Sequence, residues 1–312
     1  MNTGEMKMLW TEKYRPKSMT EIIGQEKFVR DARSWVVNGD MPNILLFGVA
    51  GTGKTAAAGA LSNDILSEYR DENFFEINAS DDRKLETVRT LIKEIASTSK
   101  IGDIPFRIIL LDEMDGMTKD SQNALKRVME RYASNCRFIM TCNERHRIIM
   151  PIQSRCANYN FSRLSDADME TMLTNILDRE NIDHIELNDL RMFISGLHGD
   201  MRRGVTELQA AVHSGTPLTE QLVKSLTSYN EIIEQIQMKQ FQSALDKVHK
   251  MIYETSDMTQ ICVNLHDCVV NMEDLDHTTK FKFLRIIGES EWRSRTMTPK
   301  ILASWMIGQM VM

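Results

Sequence analysis

The segment Gly48-Val49-Ala50-Gly51-Thr52-Gly53-Lys54-Thr55 constrains this chain more than any other. The apolar run at residues 43–47 before it reads as a buried strand, and the run at 56–61 after it reads as a helix. Strand, glycine-rich loop and helix, in that order, form the context in which such a pattern cradles phosphate. Gly48, Gly51 and Gly53 let backbone N–H groups turn inward around an anion, Thr52 completes the loop, and the helix N-terminus adds its partial positive charge. In this pattern Lys54 reaches the β/γ-phosphates and the Thr55 hydroxyl is offered to Mg²⁺. Such a loop has to hang from a parallel sheet.

The rest of the first half supplies one. Short apolar runs at 43–48, 74–78, 107–112, 137–143 and 158–161 alternate with helix-period segments. That alternation predicts parallel strands joined by right-handed crossovers, hence an α/β layer structure. From Ser165 onward strand signals vanish. Leu164-Ser165-Asp166-Ala167-Asp168 reads as a cap opening a helix that contains Met169, Met172, Leu173 and Ile176. Gly215-Thr216-Pro217 is a break, and helical periodicity resumes with Ile232, Ile233 and Ile236, then Phe241, Ala244, Leu245 and Val248. The expected domains are therefore 1–163 (α/β), 164–215 (helical) and 216–312 (helical).

Composition narrows the setting. No apolar run approaches the roughly 18 to 20 residues of a membrane span, and the first thirteen residues lack the apolar core of a signal peptide. The expected location is the cytoplasm or nucleus, neither secreted nor bound to a membrane. The five cysteines are odd in number and form no Cys-x-x-Cys pair, which predicts reduced thiols and no zinc ribbon. The net charge of −6 argues against a general polyanion binder. Residues 1–163 are nearly balanced and the acidic excess lies beyond them, so nucleic acid would meet the N-terminal part through a local patch.

A second motif completes the phosphate site. Ile108-Ile109-Leu110-Leu111-Asp112-Glu113 is an apolar strand ending in two acids. Asp112 would hold Mg²⁺, and Glu113 would orient and help deprotonate an attacking water. Asn143 ends another predicted strand, and ligands of parallel sheets sit at such ends. This places Asn143 near a γ-phosphate or the water, although a plain turn residue fits the same pattern.

The residues quoted so far, with several others, resemble the AAA+ clamp loaders and most closely the small subunit of replication factor C. Leu9-Trp10-Thr11-Glu12-Lys13-Tyr14-Arg15-Pro16 resembles the family's N-terminal box, and Phe75-Glu76-Ile77-Asn78-Ala79-Ser80-Asp81-Asp82-Arg83 its second-strand signature. Leu111-Asp112-Glu113-Met114-Asp115 is similar to its acidic box, Ser154-Arg155-Cys156 to its Ser-Arg-Cys motif, and Gly199-Asp200-Met201-Arg202-Arg203 to its sensor-2 motif. Val49-Ala50 depart from the usual Pro-Pro, and residues beyond about 210 carry only a general likeness. A viral, phage or archaeal lineage stays open.

The resemblance implies an AAA+ P-loop domain with a helical lid and an all-α collar for oligomerisation. It implies an ATPase that uses ATP and Mg²⁺ to open a sliding clamp and place it on primer–template DNA, as part of a ring-like hetero- or homo-oligomer, pentameric in the family. By the same likeness Arg155 reaches a neighbouring subunit's ATP, Arg202 acts on the γ-phosphate in its own chain, and Tyr14, Arg15 and Pro16 lie against adenine and ribose. Asn78 holds Glu113 back until DNA binds. Arg83, Lys84, Arg89, Lys126 and Arg127 are the cations placed along the DNA backbone. The helix around residues 64–71 and the segment 95–104 are candidates for gripping the clamp. Two other readings stay open from sequence: a branch-migration type remodeller, and a scaffold that binds ATP without turning it over.

Overall fold

The structure is a computed structural model that describes residues 8–79, 85–98, 100–183, 185–197, 199–255, 258–272, 275–294 and 296–312. The chain divides into two compact units, Met1–Thr216 and Pro217–Met312.

The first unit is built on five strands: β1 (Ile44–Phe47), β2 (Phe74–Asn78), β3 (Arg107–Asp112), β4 (Cys136–Cys142) and β5 (Ala157–Asn160). All neighbouring pairs are parallel, and the order across the sheet is β2-β3-β4-β1-β5. The continuous apolar runs follow from this. In β3, Ile108 and Leu110 face one helical layer while Ile109 and Leu111 face the other, and all four are fully buried. A strand covered on both sides has no polar face to alternate with.

One face packs on α1 (Glu26–Asn38) and α2 (Lys54–Leu66), through Phe28, Ala57 and Leu61 against Ile44, Leu46 and Ile139. The other packs on α3 (Leu85–Ser97) and α4 (Lys119–Arg131), through Ile92, Ile95, Leu125 and Met129 against Leu45, Ile109 and Phe138. Thr118 caps α4 by accepting a hydrogen bond from the Ser121 N–H. The expected cap Ser80-Asp81-Asp82 ahead of α3 and the cations Arg83 and Lys84 lie outside the described residues, as does the Arg89 side chain.

Two strand ends differ from expectation. β1 stops at Phe47 and β4 at Cys142, so Gly48 and Asn143 belong to loops. The ladder closes there, with the Gly48 N–H donating to the Cys142 carbonyl at 3.3 Å. Gly48 has φ +146°, and a Cβ on it would stand 2.1 Å from the Phe161 carbonyl oxygen, so only glycine can turn the chain away at this point. At the other edge β5 starts one residue early, because the Ala157 N–H donates to the Asn43 carbonyl at 2.8 Å.

The strand order positions a site. The chain leaves the sheet's interior at β1, runs out to the edge at β2, and returns through β3 and β4 to lie beside β1 again. The C-terminal ends of β1, β3 and β4 therefore converge where the winding reverses, which is where parallel sheets leave a crevice. Beside the crevice lie α5 (Asp166–Arg179) and α7 (Met201–Ser214), and α6 (Leu187–Ser195) packs against α5. Ser165 caps α5 and Asp200 caps α7, each accepting a backbone N–H three residues on. The residues expected to form a separate lid share the first compact unit with the sheet.

The second unit consists of α8 (Leu218–Gln237), α9 (Phe241–Thr255), α10 (Met258–Asn271), α11 (His277–Arg293) and α12 (Pro299–Val311). Its core holds Ile232, Ile233, Val248, Ile261, Leu265, Ile286 and Leu302, with Met306 and Met310 filling irregular space. Phe241 departs from the expected stripe and is 37% exposed, because it opens α9 at the margin of that core. Among the described residues no helix is long and apolar enough to cross a membrane, and all five cysteines are free thiols.

Leu265 is fully buried. Leu265→Ala is expected to cost the helical unit about 2–5 kcal/mol, read by chemical denaturation. A loss under about 1 kcal/mol would mean that the site is not close-packed core.

Candidate nucleotide site

A cleft of about 540 Å³ opens at the converging strand ends. Residues 50–56 of the glycine loop and the start of α2 form its floor, Asp112, Glu113 and Asn143 one wall, and the 10–16 arm with α5 and α7 the other.

The loop is built by local backbone demands. Gly51 and Gly53 take φ +80° and +87°, values that side chains disfavour. Gly53 occupies the N-cap of α2, which has no side-chain cap, so the first N–H groups of α2 are left for the cleft. A Cβ on Gly53 would meet nothing within 4 Å, whereas one on Gly51 would stand 2.2 Å from Asp200 Oδ1. Thr52 is buried and donates its hydroxyl to the Val49 carbonyl at 2.9 Å, bracing the loop from within.

Lys54 is 8% exposed. Its ammonium donates to the Gly48 carbonyl at 2.7 Å, the Val49 carbonyl at 2.8 Å and Asn143 Oδ1 at 3.0 Å. Burial pushes its pKa below the ordinary lysine value. The Thr55 hydroxyl donates to both Asp112 oxygens at 3.1 and 3.2 Å. Asp112 also accepts from the Thr141 hydroxyl and from the Glu113 N–H. A hydroxyl and a carboxylate thus meet beside the phosphate loop, the hard oxygen donors that Mg²⁺ selects. The uncapped helix start, the buried ammonium and this oxygen pair together fit a Mg²⁺-bound polyphosphate.

Glu113 follows in the left-handed region, φ +54°, which turns its side chain off the strand axis. Its carboxylate accepts from Asn78 Nδ2 at 3.3 Å. The β2–β3 register explains the meeting, since Asn78 pairs with Asp112. Asp115 ties the next wall down by accepting the N–H groups of Asn143 and Glu144, both at 3.1 Å.

At the far end the N-terminal arm closes the cleft. Tyr14, Arg15 and Pro16 line it together with Ile22, Met172, Ile176 and Val205. Trp10 is buried, donates its backbone N–H to Gln209 Oε1 at 2.9 Å and packs edge-on against Tyr14 and His213. Tyr14 and Lys13 both donate to Glu180 Oε1 at 2.7 Å. Burial, reinforced by the Glu180 bond, pushes the Tyr14 pKa up. Arg15 stands within 3.7 Å of Glu12 and 3.9 Å of Glu76. Arg202, at the start of α7, lines the cleft, while Arg203 is engaged by Glu207 at 2.6 Å.

The structure therefore gathers residues 50–53 of the loop, Lys54, Thr55, Asp112, Glu113, Asn143, Arg202 and the Tyr14–Pro16 arm around one cavity, and Asn78 joins it only through its hydrogen bond to Glu113. It leaves Arg155 out. That guanidinium donates to Glu130 Oε1 at 3.0 and 2.5 Å and to the Pro151 carbonyl at 2.6 Å, and it lines a different hollow with Trp35 and Arg137. Lys126 is half-buried and Arg127 exposed on α4. Sequence reasoning passed over Asp115, Thr141 and the apolar lining. Asp115 is three residues from Asp112 within the quoted acidic box, which was the available signal. Met172 and Ile176 carried only a helix period that core packing explains equally well.

The sheet order and its loops define an ATP-hydrolysing P-loop enzyme of the AAA class. Residues 44–164 match the ATPase family associated with various cellular activities, and residues 227–294 match the replication factor C C-terminal domain. The chain is 36% identical over 295 residues to the replication factor C small subunit of Methanococcus maripaludis strain S2, covering 92% of this chain and 93% of that protein. It is 38% identical over 293 residues to that of Methanocella arvoryzae, covering 91% and 90%. The chain belongs to the replication factor C small-subunit family. Its fold is also similar to the Thermotoga maritima RuvB Holliday junction branch migration motor, with a TM-score of 0.56 at 15% identity over 72% of this chain and 79% of that one.

Lys54→Ala is expected to weaken Mg²⁺-ATP binding by about 100-fold or more, read by fluorescent-nucleotide titration, without loss of fold. Wild-type affinity in that variant would contradict the assignment of the cleft.

Proposed function

We propose that this chain is the motor subunit of a DNA sliding-clamp loader. ATP binding opens a ring-shaped clamp and places it at a primer–template junction, and DNA-stimulated hydrolysis releases the loader. The observation that carries this reading is the placement of one cleft between the sheet and α7. Arg202 on α7 and Lys54 on the loop border the same cavity. Nucleotide state can thereby bias the position of the helical lid, residues 164–215, against the α/β domain, residues 1–163.

The geometry supports the following roles. Lys54 and the N–H groups of the loop bind the phosphates. Thr55 and Asp112 would hold Mg²⁺, which when bound neutralises charge on the β- and γ-phosphates. Glu113 is the base that orients the attacking water. Asn78 restrains Glu113 through their hydrogen bond until DNA binds. Asn143 holds Lys54 and faces the γ-phosphate, Arg202 contacts it from the lid, and Tyr14, Arg15 and Pro16 shape the base pocket.

Arg155 lies outside its own chain's cleft. This favours a role at the nucleotide of a neighbouring subunit, in a ring that the helical unit 216–312 holds together. Lys126 and Arg127, with Arg83, Lys84 and Arg89, are the cations proposed to follow the DNA phosphates.

The test is steady-state ATP hydrolysis with and without primed DNA and the cognate clamp. Stimulation by both is expected. Glu113→Gln should lose about 10²-fold or more and Arg155→Ala about 10³-fold or more. Turnover indifferent to DNA, clamp and Arg155 would sink the loader reading.

A further inference from the structure

The contact that sets the distance between α7 and the phosphate loop is made by Asp200. Gly199 takes φ +76°, and a Cβ there would stand 2.7 Å from both the Arg163 Cβ and the Leu164 carbonyl oxygen. The chain turns so tightly at Gly199 that the next residue is pressed onto the loop. Asp200 Oδ1 accepts the Arg203 N–H at 3.0 Å and so caps α7. The same oxygen lies against Gly51, 2.2 Å from where a Cβ would stand. Two residues further on, Arg202 lines the cleft. One carboxylate thus caps the helix that carries Arg202 and abuts the loop that holds phosphate.

We propose that Asp200 is a positioning residue that lowers nucleotide affinity, and so sets how readily nucleotide leaves. The inference rests on the cleft binding ATP. Two effects combine. The cap occupies the Arg203 N–H, one of the groups at the start of α7 that would otherwise offer phosphate a second helix N-terminus. The carboxylate also places a negative charge beside the loop that must receive a polyphosphate, opposing the attraction of Lys54 and Arg202. The penalty grows with the negative charge of the ligand, so it falls harder on ATP than on ADP. It acts as a spacer against over-tight closure of α7, which a loader that must let go requires.

Asp200→Asn keeps a capping oxygen and removes the charge. The expected result is a Kd about 3–10-fold lower for Mg²⁺-ATPγS and a smaller gain for Mg²⁺-ADP. The gain should shrink as NaCl is raised from about 0.05 M to about 0.5 M, a screening response that a purely structural cap would not give. Asp200→Ser, the second cap-retaining variant, should show the same direction and decides the matter if the Asn variant does not fold. Unchanged or weaker binding in the folded variants, or a gain insensitive to salt, would overturn the proposal. Lys54→Ala keeps the two failures apart. If wild type binds nucleotide and Lys54→Ala does not, a null result at Asp200 condemns only this inference. If wild type and Lys54→Ala bind equally poorly, the reading of the cleft has failed.

Discussion

A lysine ammonium buried at the mouth of a helix is the interaction on which the site turns. Lys54 begins α2, where the aligned N–H groups already make the potential positive, and it is nearly shut off from solvent. Among the described residues its hydrogen-bond acceptors are neutral, two loop carbonyls and the Asn143 amide oxygen, while Asp112 and Asp115 act on it through space. Burying a cation this way lowers its proton affinity and leaves unmet attraction for negative charge. A polyphosphate is the ligand whose charge and shape meet that attraction. The three acceptors meanwhile bind the turn after β1 to the turn after β4, so the phosphate loop and the Asn143 wall are held as one piece.

The sheet makes this possible. With β4 inserted between β1 and β3, the loop, the acidic pair and Asn143 leave the sheet side by side although about thirty residues or more separate each from the next. The glycines act at points of close approach: Gly48 against the Phe161 carbonyl, Gly51 against Asp200 and Gly199 against Leu164. Each is a place where two segments far apart in sequence come closer than a side chain allows. The second unit carries its own apolar core.

Much of this was legible in the sequence, and the reasons are physical. Strands covered on both faces write continuous apolar runs, so β2 and β3 fall at the expected residues, and the glycine loop announces itself through fixed spacing. The strand ends at Phe47 and Cys142 were one residue off because tertiary contact decides where a ladder closes. Asp200 read only as part of a motif, and both its cap on α7 and its approach to Gly51 emerged with the fold, the latter a contact between distant segments that no local pattern encodes. The apolar end of the cleft was hidden for a related reason. Met172, Ile176 and Val205 have the helix period of ordinary core, and only the fold leaves them facing a cavity. Arg155 is the converse, since its motif was plain and its own chain gives it no nucleotide to meet.

The central claim is that each site is completed by the arginine of a neighbour, and mixing two inactive variants tests it most directly. Glu113→Gln lacks the base but keeps Arg155, and Arg155→Ala lacks the arginine but keeps the base. Assembled together with the companion subunits, clamp and primed DNA, they form some interfaces that pair an intact Glu113 with an intact Arg155. Recovery of ATP hydrolysis to a substantial fraction of the wild-type rate is predicted. A mixture as inactive as either variant alone would contradict the shared site and return Arg155 to a structural role beside Glu130.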